Sequence, residues 1–214
     1  MVSNPTQALQ AEVNRLRTEN ESLRNELYVM RGFVQALQAL SEAEAKFKAS
    51  ADLWRLLDEI MQQTLDLLSA PDGSLMLLDR NSGELEFVVV LGAARDLLTG
   101  QRLQPGEGIA GWVAQHGKSC VVRDVRLDPR FSARMDEESA FRTKSIAAAP
   151  LIGNGKVLGV VEVLNRPGDE AFTEFDQMLL TLLGRFAGEM LADIRDVFGA
   201  GDLIAALNKG QRKQ

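Results

Sequence analysis

Residues 105–113 read PGEGIAGWV, and they open the part of the sequence that decides the fold. The glycines predict a tight turn, and the apolar residues after them predict a short helix. VVRDV at 121–125 and DPRF at 128–131 come next, inside a stretch that is otherwise polar and irregular. We therefore expect residues 92–144 to form a covering segment of short elements and loops over one face of a sheet.

Strand-like runs lie on both sides of this segment. Residues 74–78 and 84–90 are separated by Asn-Ser-Gly, and residues 145–151 and 156–164 by Gly-Asn-Gly, so each pair predicts a β-hairpin. Helical stripes precede and follow the strands, and Thr173 is in the N-cap position of the last one. This order predicts an α+β fold, with an antiparallel sheet and helices on both of its faces.

The motifs, taken in this order and spacing, resemble the GAF domain family over about residues 53–196. The matching positions are Gly106 to Gly111, Asp124-Val125, Asp128 to Phe131, Ser145, Ala149 to Leu151, Gly159-Val160 and Phe172-Thr173. The resemblance implies a small sensory fold that usually binds a small molecule and passes the result to helices. It is specific for the fold and does not name a ligand.

An unbroken heptad repeat occupies residues 9–37. Glutamates occupy g positions, arginines occupy the following e positions, and Asn20 is the one polar residue at a. A buried asparagine at a favours a parallel dimer in register, so we predict a parallel dimeric coiled coil. The alternative is a single amphipathic helix packed on its own domain. The predicted dimerisation residues are Val13, Leu16, Asn20, Leu23, Leu27, Met30, Val34 and Leu37.

Three regions follow from these patterns. We predict the coiled coil and a connecting helix over residues 1–50, a GAF domain over 51–198 and a short C-terminal tail over 199–214. Residues 38–52 contain no proline or glycine, so one long helix is expected to run from the coiled coil into the domain. A continuous helix is a stiff connection, which suits signal transfer.

Composition excludes several classes of protein. The formal net charge of −6 gives no general case for nucleic acid or an anionic membrane as a partner. The single cysteine rules out an internal disulfide and fits a reducing compartment. The N-terminus lacks a secretory pattern, and no apolar run is long enough to span a bilayer. We therefore expect a cytoplasmic protein with no nucleic acid and no membrane among its partners.

A small-molecule pocket is expected between the sheet and the covering segment. Glu162 is notable because both of its neighbours are valines. If the Glu162 side chain faces the pocket, its carboxylate needs a partner and would bind a cationic or hydrogen-bonding group. If it faces solvent, Glu162 is only one polar position in the alternation of the strand. Alternation alone does not say which face of the strand is inside. The candidate ligand-binding residues are Met76, Ile109, Trp112, Asp124, Phe131, Ser145 and Glu162.

Some GAF domains that bind cyclic nucleotides carry an Asn-Lys, then Phe, then Asp-Glu motif. This chain has Asn165-Arg166, Phe172 and Asp176-Gln177 at the matching positions. In the family the basic residue and the aspartate look like a brace across the domain, so the resemblance implies a structural ion pair between Arg166 and Asp176. A cyclic nucleotide stays among the candidate ligands, but this motif supports it only weakly.

The sequence gives little support for a catalytic site or a metal site. His116 and Cys120 are four residues apart, but Gly117 interrupts the helix between them and no second histidine or cysteine exists to complete a metal or haem site. The family includes a methionine sulfoxide reductase, whose chemistry needs an attacking and a resolving thiol, and one cysteine cannot supply both. We expect no metal, no haem and no enzyme activity.

Two functions remain open from the sequence. The first is a dimeric sensor that binds a small ligand and signals through its helices to a partner protein. The alternative is a ligand-free structural adaptor or dimerisation protein. A cavity filled by the chain's own side chains, such as Met76, Trp112 or Phe131, would favour the adaptor.

Overall fold

The computed structural model describes residues 9–24, 53–139 and 141–198, together with residues 6, 27, 31, 32, 34, 38 and 204. Its helices are α1 (residues 9–24), α2 (Leu53–Leu68), α3 (Arg95–Leu98), α4 (Gly108–His116), α5 (Arg134–Ser139) and α6 (Glu174–Phe198). Its strands are β1 (Asp72–Leu78), β2 (Leu85–Leu91), β3 (Arg102–Leu103), β4 (Cys120–Val122), β5 (Ile146–Gly153) and β6 (Lys156–Leu164).

The six strands form one antiparallel sheet in the order β3-β2-β1-β6-β5-β4. Both predicted hairpins are present, β1 with β2 and β5 with β6. In the second turn, Asn154 and Gly155 have φ angles of 49° and 68°. Glycine and asparagine tolerate this left-handed region better than other residues, which explains the turn sequence. The α+β prediction is confirmed.

Helices cover both faces of this sheet, as predicted. α2 and α6 pack on one face, around buried side chains such as Leu57, Met61 and Leu180. α3, α4 and the rest of the covering segment pack on the other, around Met76 and Val113. Since successive strand residues point to opposite faces, the central strands contribute to both cores. The sheet is therefore buried on both sides.

α6 lies directly against β5 because glycines replace side chains at their contact. A Cβ added to Gly184 would be 2.7 Å from the carbonyl oxygen of Pro150, and one added to Gly188 would overlap the backbone of Ile152. The two backbones therefore approach without intervening side chains. Because close-packed elements transmit strain rather than absorb it, we expect α6 and β5 to shift together.

Gly32 contacts the domain, whereas the described apolar residues of the heptad seam are exposed. Leu23 is 52% exposed and Val34 is 50% exposed. Gly32 is buried, and a Cβ at this position would lie 3.3 Å from both Leu179 Cδ1 and Phe175 Cζ in α6. Gly32 occupies position f of the heptad, away from the a and d seam. The apolar seam residues that the structure describes thus stay exposed beside this contact.

Part of the predicted organisation lies outside the described residues, including Met30, Leu37, residues 39–52 and most of 199–214. The predicted domain boundaries therefore stay predictions. Within the predicted tail, Ile204 is helical, 6% exposed and packed in the core that α2 and α6 form. Among the helices described, none is both long enough and apolar enough to cross a membrane.

Candidate functional site

A cavity of about 80 Å³ lies between the sheet and the covering segment. Its floor is formed by β1, β2 and β6, and its walls by α3, the first turn of α4 and residues 131–143. Most lining side chains are apolar, including Phe87, Leu98 and Ile109. An apolar concavity with a few polar groups is the usual form of a small-molecule site. Those few polar groups decide what this cavity can bind.

Glu162 places a carboxyl group on the cavity floor. Its side chain lines the cavity and is 8% exposed, and no donor among the described residues reaches the carboxyl. Burial raises the pKa of this carboxyl to about 7, because a carboxylate without a partner is poorly stabilised away from water. Of the two orientations that the strand alternation left open, the structure has the inward one.

Ser74 lies directly opposite Glu162 in the pairing of β1 with β6. Its side chain lines the cavity, and its Oγ is buried without a hydrogen-bond partner in the described part of the chain. Opposite residues on neighbouring strands have Cβ atoms about 5 Å apart. One small ligand could therefore contact the Ser74 hydroxyl and the Glu162 carboxyl together.

Two further carboxylates line the cavity, and each already has donors. The N–H of Ala93 donates to Asp72 Oδ1 at 2.8 Å. The N–H and hydroxyl of Thr143 donate to Asp136 at 2.7 Å and 2.6 Å. The sequence did not single out either aspartate as a site residue. Asp72 directly follows the helix-ending Pro71, and Asp136 lies in the irregular stretch, where no periodic pattern indicates which side chains face the sheet. Their bonds hold the loop after β2 and the end of the covering segment in place.

The described residues between 128 and 143 form a lid over the cavity, with Phe131 and Phe141 among the lining side chains. Arg134 fixes this lid to the start of α4. Its Nε donates to Glu107 Oε1 at 2.7 Å, and its Nη2 donates to Glu107 Oε2 at 2.9 Å. The hydrogen bond from Arg134 is the main cause that lowers the pKa of Glu107. Entry of a ligand under the lid would have to disturb this ion pair.

Trp112, one of the candidate ligand-binding residues, is not among the residues that line this cavity. The guanidinium of Arg130 is 4.4 Å from its ring centroid, and the ring of His116 stacks on it at 4.6 Å. Arg130 is itself held by Asp128, at 2.6 Å. Trp112 therefore packs against Arg130 of the lid and His116 of its own helix, and it anchors the lid to α4.

Three other expected ligand-binding residues also lie away from the cavity lining. Asp124 caps the 3-10 turn Val125–Leu127 and pairs with Arg126 at 2.6 Å, so its oxygens are used at the surface. Met76 is completely buried in the core, and Ser145 is 5% exposed. Of the two acidic candidates, Glu162 lines this cavity and Asp124 does not. The expected residues that do line the cavity are Ile109, Phe131 and Glu162.

Cys120 is partly buried at the edge of the sheet. Burial is the main cause that raises the pKa of its thiol to about 11. The thiol is therefore protonated at neutral pH, and the thiolate is the reactive form of cysteine. In the described ranges, no three or more His, Cys, Asp or Glu side chains converge as metal ligands would.

Arg166 and Asp176 are in contact outside the cavity. Arg166 Nη1 donates to Asp176 Oδ2 at 2.7 Å, and the two side chains are 11% and 2% exposed. The same carboxylate accepts the N–H and hydroxyl of Thr173 at 2.7 Å and 2.8 Å. The Thr173 hydroxyl oxygen accepts the Asp176 N–H at 3.3 Å, which completes a capping box. The pair ties the end of β6 to the start of α6.

A protein-family model described as the GAF domain matches residues 52–191. The dual 3′,5′-cyclic-AMP and -GMP phosphodiesterase 11 of Drosophila melanogaster is 28% identical to this chain over 172 residues, which are 71% of the chain and 12% of that protein. Two other phosphodiesterases match over 9% and 22% of their lengths. The chain thus spans less than a quarter of the length of these relatives.

Solved structures share the fold. The GAF domain of a phosphoenolpyruvate-protein phosphotransferase from Coxiella burnetii superposes with a TM-score of 0.67 and 22% identity, over 77% of this chain and 97% of that one. A segment of a methyl-accepting chemotaxis protein superposes with a TM-score of 0.63 and 21% identity, over 72% and 98%. Identities this low show similarity of fold alone.

Proposed function

The chain belongs to the GAF domain family, and from this premise we propose that it is a dimeric sensory module. In this proposal a small ligand binds in the cavity, and the change passes through helices to a partner protein. Relatives with this domain include signalling proteins, among them a chemotaxis protein and cyclic-nucleotide phosphodiesterases. We place the module in the cytoplasm and assign it a regulatory rather than a catalytic role.

The proposal rests on the burial of the Glu162 carboxyl without a hydrogen-bond partner among the described residues. An ionisable group without a partner, buried under a lid, is costly to the fold unless something compensates it. Groups with strongly perturbed pKa values in a cavity are candidates for a functional role. A structural role for Glu162 would call for a protein donor, and none of the described residues provides one. A bound donor group would satisfy the carboxylate.

The fold offers a route from the cavity to the helices. Glu162 faces the cavity, while its neighbours Val161 and Val163 belong to the core on the α6 side of the sheet. α6 rests directly on β5, and its first turns contact the N-terminal helix at Gly32. A ligand that shifts β6 would therefore shift α6 and the base of the predicted coiled coil. Such small helix shifts at interfaces are a common form of switching.

Ligand binding can be tested on freshly purified full-length protein. Native mass spectrometry should show a retained small molecule, and its addition to stripped protein should slow amide exchange in the lid, residues 128–143. The lid is expected to gain most because the ligand would fix its apolar side chains over the floor. Protection confined to the helices, with no change in the lid, would place the site elsewhere.

Dimerisation rests on the exposed seam of the N-terminal helix. A free chain that exposes Leu16 and Leu23 at 50% and 52% is expected to bury them against a second copy. Replacing both with glutamate should convert a dimer to a monomer in sedimentation equilibrium, because d positions form the seam. Ser22→Glu, at the outward position c, is the matched control and should leave the dimer intact. Equal dimerisation of both variants would refute a dimer through this seam.

A second candidate function is favoured by the size of the cavity. About 80 Å³ is far below the roughly 300 Å³ or more of ordinary ligand pockets. A ligand-free adaptor, in which the GAF fold acts only as a scaffold for the helices, would need no larger space. This alternative would be favoured if native mass spectrometry shows no retained molecule and if no small molecule in a panel slows amide exchange in the lid.

A further inference from the structure

The charges around the cavity are of one sign. Its ionisable lining residues are Asp72, Asp136 and Glu162, and no lysine, arginine or histidine is among the described side chains that line it. The lid has three arginines, and none of them lines the cavity. Arg130 pairs with Asp128, Arg134 pairs with Glu107, and Arg142 is exposed. An anion in this cavity would meet carboxylates without a compensating cation.

Two polar side chains of the cavity keep free hydrogen-bonding capacity. Asp72 and Asp136 already accept protein N–H or O–H groups. Glu162 and the opposite Ser74 are left, and the described residues supply neither with a partner. In its ionised form Glu162 only accepts hydrogen bonds, whereas the Ser74 hydroxyl can both donate and accept. A group that pairs with the Glu162 carboxylate must therefore bring donors.

We propose that the cavity recognises a compact organic cation rich in N–H donors, an amidinium, guanidinium or primary ammonium group, held by Glu162 and Ser74. This deepens the proposed sensory function and rests on it. Planar amidinium and guanidinium groups fit best, because one edge can donate two hydrogen bonds to the Glu162 carboxylate while another N–H reaches Ser74. The same inference disfavours ligands recognised through a phosphate, including cyclic nucleotides.

The volume limits the size of the cation. An apolar cavity of about 150 Å³ holds a six-carbon ring, so a cavity of about 80 Å³ holds roughly three or four non-hydrogen atoms. Acetamidinium and guanidinium have this size. A larger molecule could place such a group on the floor only by displacing the lid, which the bond between Arg134 and Glu107 opposes.

Binding of a cation should depend on pH, since it needs the ionised form of Glu162. Burial raises the pKa of Glu162 to about 7, so affinity should rise with pH through this value and then level off. The titratable groups on the surrounding elements are Asp72 in β1, Asp136 in α5 and the Cys120 thiol in β4. From about pH 8 to about pH 6 the affinity should fall about tenfold, as the carboxylate fraction does.

The test is a titration of the full-length protein with acetamidinium chloride, followed by two-dimensional NMR of backbone amides. Acetamide, which has the same shape and no charge, is the matched control ligand. Acetamidinium should cause saturable shifts at β1, β6 and the lid, with at least tenfold higher affinity than acetamide and with the pH dependence above. Glu162→Gln should remove that preference, whereas Glu174→Gln, on the exposed surface of α6, should keep it.

Several outcomes would overturn the proposal. Equal affinity for acetamide and acetamidinium would show that charge is not recognised, as would an unchanged preference in Glu162→Gln. Binding of inorganic phosphate or cyclic GMP in the cavity, with none of acetamidinium, would show that the ligand is an anion while leaving the sensory function intact. Ser74→Ala, which removes the second contact without a charge change, keeps the test valid if Glu162→Gln does not fold.

Discussion

Replacing Asp176 with alanine should lower the free energy of unfolding by about 3 kcal/mol. The substitution leaves the Arg166 guanidinium, whose side chain is 11% exposed, without its buried partner. It also removes the acceptor for the N–H and hydroxyl of Thr173 at the start of α6. A buried charge left unpaired costs far more than the loss of a surface contact. Urea unfolding followed by circular dichroism would measure the change.

The matched control is Glu170→Ala, because Glu170 is the outer carboxylate near Arg166. It lies 3.9 Å from the guanidinium and its side chain is 74% exposed. Its removal should change stability by less than about 1 kcal/mol, as is usual for surface pairs. If the two variants lose the same amount, burial does not determine the strength of the Arg166–Asp176 pair and the structural role given to it fails.

Glu162→Gln should stabilise the ligand-free protein by about 3 kcal/mol at high pH and by much less at low pH. The pKa of Glu162 is about 7 in the folded protein against an ordinary 4.5. Protonation therefore favours the folded state, and this stability is fully present below about pH 4.5 and lost as the pH rises through about 7. Glutamine carries no charge to bury, so the variant escapes this loss.

The measurement is the free energy of unfolding of wild type and variant, in urea, from about pH 4 to about pH 8. Glu174→Gln, at an exposed position in the first turn of α6, is the control and should run parallel to the wild type. A constant difference between Glu162→Gln and wild type across this range would mean that a partner stabilises the carboxylate in the folded chain. The cation proposal would lose its basis as well.

The two predictions differ in how far the sequence anticipates them. Arg166 and Asp176 are ten residues apart, at the two ends of a short connection between a strand and a capped helix. A motif of this kind places both side chains with few long-range assumptions. Glu162 is different, because its role depends on which face of the sheet is covered by the segment between β2 and β5.

The candidate residues that do not line the cavity show the same limit. Trp112 and Asp124 lie in the correct segment, but one packs against Arg130 and His116 outside the cavity and the other caps a turn. The bond between Glu107 and Arg134 joins residues 27 apart across the lid. Apolar periodicity cannot anticipate such contacts, because the lid is irregular and its path is set by the surface beneath it.

The order of hairpins, turns and helical stripes was sufficient to predict the α+β sheet with helices on both faces. The motifs between Gly106 and Thr173 carried the resemblance to the GAF family, which the family model confirms. These features are local, since turn chemistry and residue periodicity act within a few positions. Tertiary structure alone decided that Glu162 and Ser74 lie opposite each other under a lid, with no hydrogen-bond partner among the described residues. Burial and pKa depend on what lies across the sheet and above it, and the alternation of a strand is the same whichever of its faces is covered.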